Sequence, residues 1–126
     1  MNPAGFVAVG VGAALGAWLR WWLSLSFNGI LATLPLGTLA ANLGGGLMIG
    51  MAVAFFNEAT AIAPEWRLFI VTGFLGGLTT FSTFSAEAMA LLQKGEPGWA
   101  LAHSAVHLIG SVACCFAGYQ LWKWLH

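Results

Sequence analysis

A chain of 126 residues with 60% hydrophobic side chains, 6% charged ones and a mean hydropathy of +0.86 is too apolar for a water-soluble domain. Its four basic and four acidic residues cancel, which removes any electrostatic argument for a nucleic-acid partner. The composition is that of an integral membrane protein, read as a single unit over residues 1–126 in contact with lipid.

Four apolar stretches, Pro3 to Leu23, Leu34 to Phe56, Trp66 to Leu92 and Trp99 to Leu125, are each long enough to cross a bilayer as a helix. No basic region precedes the first, and Arg20-Trp21-Trp22 reads as a retained helix reaching an interface rather than a cleaved signal peptide. Asn28 and Gly29 mark the first connection, Asn57 through Pro64 the second, and Lys94-Gly95-Glu96-Pro97-Gly98 the third. These are turns, with no room for an extramembrane domain. Tryptophans 18, 21, 22, 66, 99, 122 and 124 fall largely near the proposed ends, where an indole N–H finds headgroups.

Arg20 ends the first span, either as a snorkelling anchor or as a cation at an aqueous vestibule. Asn42 lies mid-span in the second stretch, where its amide either bonds a neighbouring helix or donates to an anion. Gly12-x-x-x-Gly16 and Gly46-x-x-x-Gly50 predict close approach of helix backbones.

The third stretch holds Gly73-Phe74-Leu75-Gly76-Gly77-Leu78-Thr79-Thr80-Phe81-Ser82-Thr83-Phe84. Backbone polarity is expensive in hydrocarbon, so a glycine-weakened helix at mid-membrane predicts a break near Gly76 and Gly77 that frees carbonyls for a solute. Thr79, Thr80, Ser82, Thr83 and Ser85 offer hydroxyls there, and Thr80, Thr83 and Glu87 form a polar line. Phe81 and Phe84 share a helix face, either as packing groups or as ring edges whose partial positive charge suits an anion.

In the fourth stretch His103 and His107 are four apart on one face, but no third metal ligand lies near them in sequence. A packing or hydrogen-bonding role follows. Cys114 and Cys115 are adjacent in apolar sequence and read as packing residues.

Four spans put both termini on one side. Arg67 and Lys123 then oppose Arg20 and Lys94, a tie that removes the usual positive-inside bias and allows either orientation. Four slender helices also enclose little space, so a selective pathway is placed where copies of the chain meet.

Gly16-Ala17-x-x-Arg20, Gly37-Thr38-Leu39-x-x-Asn42-x-x-Gly45 and the Gly73 to Phe84 run together resemble the small bacterial fluoride-channel family, also called CrcB or Fluc, over essentially the whole chain. The resemblance implies an all-α membrane protein of four transmembrane helices with a broken third helix, paired as an antiparallel dual-topology homodimer in the bacterial cytoplasmic membrane. It implies passive, selective fluoride export and no enzymatic activity. By the same resemblance Asn42 contacts fluoride, Phe81 and Phe84 lie beside the route and Thr83 sets a hydroxyl there, while Ser82 and Thr80 join the route on the strength of the hydroxyl cluster itself. Gly76 and Thr79 supply backbone carbonyls to a structural Na+ at the dimer centre, and Arg20 and Glu87 take vestibule or structural places. Trp21, Leu47, His103, His107 and Ser111 depart from the family's usual tyrosine, phenylalanine, tyrosine, serine and glycine, which puts the fourth helix's part in question. A small dual-topology secondary transporter and a non-transporting packing subunit are the rival readings.

Overall fold

A computed structural model describes all residues 1–126. It is entirely helical. Helix α1 (Pro3–Phe27) starts at a proline that needs no donor, with the Asn2 side chain accepting from the Gly5 N–H at 2.6 Å. It runs past Leu23 to Phe27, where the Asn28 N–H closes the last turn on Ser24. Helix α2 spans Leu36–Glu58. The third span begins at Pro64 and is built in pieces. Element α3 (residues 64–78) comprises an α-helical turn Pro64–Arg67, a π-helical stretch Leu68–Leu75 and a last turn Gly76–Leu78. Helix α4 (Phe81–Gln93) completes the span, and α5 (Pro97–Leu125) follows after a turn in which Gly95 takes a φ of 76°.

Four helical segments, Pro3–Phe27, Leu36–Glu58, Pro64–Gln93 and Pro97–Leu125, are long and apolar enough to cross a bilayer. The four expected spans are therefore present, with ends shifted by a few residues. Large apolar side chains such as Phe6, Leu101, Leu108 and Phe116 face outward, as they do when lipid is the solvent.

Glycine decides how the helices meet. Helix α2 lies along α5, α1 lies against α3, and α4 packs on α5. A Cβ on Gly12 would strike the Phe69 carbonyl and one on Gly16 the Phe74 carbonyl. On the other seam, a Cβ on Gly50 would strike the Cys115 carbonyl, and one on Gly118 the Leu47 carbonyl. Both small-residue motifs are thus contact surfaces of one backbone on another.

The break in the third span is displaced from its expected place. Gly76 and Gly77 remain helical, and the chain opens instead at Thr79 (φ −82°, ψ 153°) and Thr80 (φ −149°, ψ 121°). Gly77 serves contact rather than bending, since a Cβ there would strike the Ala13 carbonyl of α1. The π-helical stretch before it had no distinct signal in sequence. Such wide turns are rare and frequently sit at functional sites.

Candidate functional site

The two extended residues are held from α2. Asn42 Oδ1 accepts from the Thr80 N–H at 2.7 Å, and Asn42 Nδ2 donates to the Thr80 carbonyl at 3.0 Å. One side-chain amide therefore satisfies both backbone groups of a residue that has left the helix, which is what hydrocarbon demands. The second Nδ2 hydrogen is directed to His107 Nδ1 at 3.0 Å.

Four carbonyls, those of Gly76, Gly77, Leu78 and Thr79, lose their helical donors as a result. In an unbroken helix the Thr80 N–H would bond Gly76 and the Thr83 N–H would bond Thr79. Here the first goes to Asn42, and the second to Thr80 Oγ1 at 3.1 Å as the N-cap of α4. Gly76 is exposed, so its peptide faces the outside of this chain. The next carbonyl, Gly77, is taken by Arg20 Nε at 3.1 Å, which places Arg20 as a brace from α1 to the break. The Thr79 hydroxyl turns back to the Leu75 carbonyl at 2.8 Å.

From the break a polar chain runs toward the start of α2. Thr38, fully buried, donates through Oγ1 to Glu87 Oε2 at 2.7 Å, and its own N–H is accepted by Asn28 Oδ1 at 3.0 Å. Glu87 Oε1 meets His103 Nε2 at 3.0 Å. Phe84 stacks on the His103 ring with centroids 5.7 Å apart, and its centroid lies 5.2 Å from that of His107.

Among the residues singled out in sequence, Asn42, Thr80, Phe84 and Glu87 are brought together. Phe81 lies 5.2 Å from Phe84 by centroid but is 81% exposed, projecting from the chain's surface. Ser82 is exposed within 3.4 Å of the Thr80 hydroxyl, and Thr83 is half-buried on the first turn of α4. Two open cavities, of about 410 and 470 Å³, meet at Asn42, Thr79 and Ser111, the first continuing past Gly76 and the second past Phe81, Phe84 and His107. Mid-span polar groups therefore border an accessible surface.

His103 and His107 each make the hydrogen bond expected of them, to Glu87 and Asn42, and the fold adds a third potential ligand that sequence proximity does not show. Glu87, distant in sequence, puts a ligand atom within 4.8 Å of one from each imidazole. Thr38 and Asn28 were missed as site residues, although the signal was present. Thr38 and Asn42 are four apart on α2, His103 and His107 four apart on α5, and the glycine seam sets the two polar pairs beside one another.

A family model described as "CrcB-like protein, Camphor Resistance (CrcB)" matches residues 7–119. The chain belongs to the CrcB/FluC family. It is 60% identical over 124 residues to the "Fluoride-specific ion channel FluC" of Cupriavidus pinatubonensis, covering 98% of this chain and 97% of that protein. It is 57% identical over 122 residues to the protein of that name from Ralstonia nicotianae, covering 97% of this chain and 95% of that one. For the Pseudomonas aeruginosa protein the identity is 55% over 119 residues, 94% of each chain. These relatives are ion channels by name and not enzymes. Four long apolar helices and bacterial kin place the chain in the bacterial inner membrane as a multi-pass protein.

Proposed function

We propose that the chain is a passive, fluoride-selective channel that lowers cytoplasmic fluoride, working as an antiparallel pair. The observation that carries the reading is the clamp of Asn42 on Thr80, which holds an opened helix, hydroxyls and two phenylalanines at mid-span beside an accessible cavity. The relatives named as fluoride-specific channels give the anion its identity.

Fluoride is small and strongly hydrated, so its entry needs several close donors, while a narrow route resists chloride. Asn42 Nδ2 supplies one donor when the anion displaces His107 from it. Thr80, Ser82 and Thr83 add hydroxyls, and the ring edges of Phe81 and Phe84 form the wall. Phe81, exposed on one chain, is covered when a second chain packs there. Glu87 is fixed by Thr38 and His103 as the end of the polar line, and Arg20 braces the break.

The carbonyls of Gly76 and Thr79 lack helical donors, and a hard cation takes oxygen ligands, so this donor set fits a structural sodium shared with a second chain. When bound, such an ion satisfies the released carbonyls and adds positive field near the route.

Purified protein in liposomes tests the reading. Rapid passive fluoride efflux is expected, with chloride efflux far slower in the same vesicles, and no dependence on a counter-ion gradient. Comparable fluoride and chloride fluxes would remove selectivity, and a need for coupled exchange would favour a transporter. Replacing all sodium by a large organic cation is expected to lower flux and dimer stability together; unchanged values would reject the sodium.

The tie between Arg67 with Lys123 and Arg20 with Lys94 supports insertion both ways. A C-terminal tag should then be reachable from both faces of the membrane across a cell population. Labelling from one face alone would exclude dual topology.

A further inference from the structure

The last two helical segments carry a cluster whose full donor set the fluoride route leaves unused. Glu87 Oε1 and His103 Nε2 are 3.0 Å apart, the His103 and His107 ring centroids are 4.5 Å apart, and one ligand atom from each of the three residues lies within 4.8 Å of the others. The imidazoles are only 1% and 3% exposed. Each has one nitrogen held, His103 Nε2 by Glu87 and His107 Nδ1 by Asn42, while His103 Nδ1 and His107 Nε2 are buried without a partner. Buried polar atoms left in this way call for an explanation, and a bound ion is one that this donor set can supply.

We propose that Glu87, His103 and His107 bind one divalent cation of the Zn2+ class per chain, with three protein ligands and an open fourth position. Two imidazoles and a carboxylate are a donor set for Zn2+ and its late first-row neighbours, whereas sodium prefers oxygen alone. Zinc bonds of about 2.0–2.2 Å set ligand atoms about 3.5 Å from one another, so the Glu87–His103 pair, now 3.0 Å apart, opens by about 0.5 Å while His107 draws in. The cation replaces the proton shared by His103 Nε2 and Glu87 Oε1, which leaves to solvent without electron transfer, and ligation through His107 Nε2 moves that ring's proton to Nδ1, which gives up its bond from Asn42. Thr38, itself held by Asn28, already orients the carboxylate from behind. Glu87 also lines a cavity of about 120 Å³ with Thr33, Pro35 and Lys94 at the helix ends, so the carboxylate can be reached from that side. The site stands on these residues alone. Only its effect on flux rests on the channel reading, because the cation draws on the ring that bonds Asn42 and ties α4 to α5.

The test is a Co2+ titration of the dimer carrying no histidine tag, followed in the visible d–d bands, with Zn2+ as competitor. Saturation at one Co2+ per chain is expected, with displacement by Zn2+. His103→Gln, His107→Gln and Glu87→Gln should each weaken binding by more than the about 10–100-fold that follows loss of an outer partner, and Thr38→Val by about that amount. Cys114→Ser, Cys115→Ser and His126→Ala should leave it unchanged. X-ray absorption of Zn2+ on the unaltered protein keeps the test independent of variant folding. Imidazole and oxygen scattering is expected, and a sulfur shell would overturn the site. So would the absence of a saturable Co2+ signal, or its persistence in both histidine variants. Zinc should slow fluoride efflux in the parent at concentrations that fill the site. A parent that binds Co2+ but never conducts fluoride would remove the channel reading and keep the site, whereas one that conducts without binding Co2+ removes the site.

Discussion

Asn42→Asp is expected to lower fluoride efflux about 100-fold or more in liposomes of matched dimer content, and Asn42→Ser to lower it less. The parent amide uses Oδ1 for the Thr80 N–H and Nδ2 for the Thr80 carbonyl. A carboxylate keeps the first bond, loses the second, and turns a lone pair on the carbonyl it should satisfy. An unsatisfied buried acceptor costs about 1–3 kcal/mol. The added charge matters more: a like charge about 4 Å from a passing anion opposes it by about 4 kcal/mol at an effective dielectric of about 20. Serine removes the clamp but adds no charge, hence the order. Efflux through Asn42→Asp equal to the parent would end the coordinating role, and a serine variant worse than the aspartate one would show that the clamp outweighs the charge.

The helices were legible because length and hydropathy suffice for them, and the structure keeps all four spans, with Pro64 and Pro97 starting helices where a missing N–H is harmless. The position of the break was less so. Gly76 and Gly77 signal weakness, but glycine in a membrane helix also signals contact, and the Ala13 carbonyl of α1 claims Gly77 for that purpose. What opens the chain at Thr79 and Thr80 is a partner remote in sequence, Asn42, together with the capping hydroxyl of Thr80. Asn42 itself stood out as a mid-span amide, yet its partners did not. The Glu87–His103 contact was invisible for the same reason, since it depends on how α4 returns against α5 after the break. Arg20, legible as an interfacial cation, turns out to reach a carbonyl on α3.

Gly50→Ala is expected to abolish most of the folded protein, although it adds a single methyl group. That methyl would strike the Cys115 carbonyl and lie 2.8 Å from the Tyr119 amide nitrogen, both backbone atoms of α5. A side chain in the way can change rotamer, but two helix backbones can only separate. Separation loosens the whole α2–α5 seam, where Gly118 stands against the Leu47 carbonyl and a Cβ on Gly46 would come to 2.8 Å from the Ser111 carbonyl. Overpacking of this kind costs about 1–3 kcal/mol and sometimes more, and a seam that also aligns Asn42 with His107 has little freedom to relax. Gly10→Ala is the control, because a methyl there would find nothing within 4 Å in the single chain. Thermal unfolding in detergent, followed by dimer recovery on size exclusion, separates the two. Parent-like recovery of Gly50→Ala would mean that α2 and α5 sit further apart than their glycines imply. Loss of dimer in Gly10→Ala, with the monomer still helical, would instead place that face of α1 against a second chain, so the pair of variants reads internal packing and assembly apart.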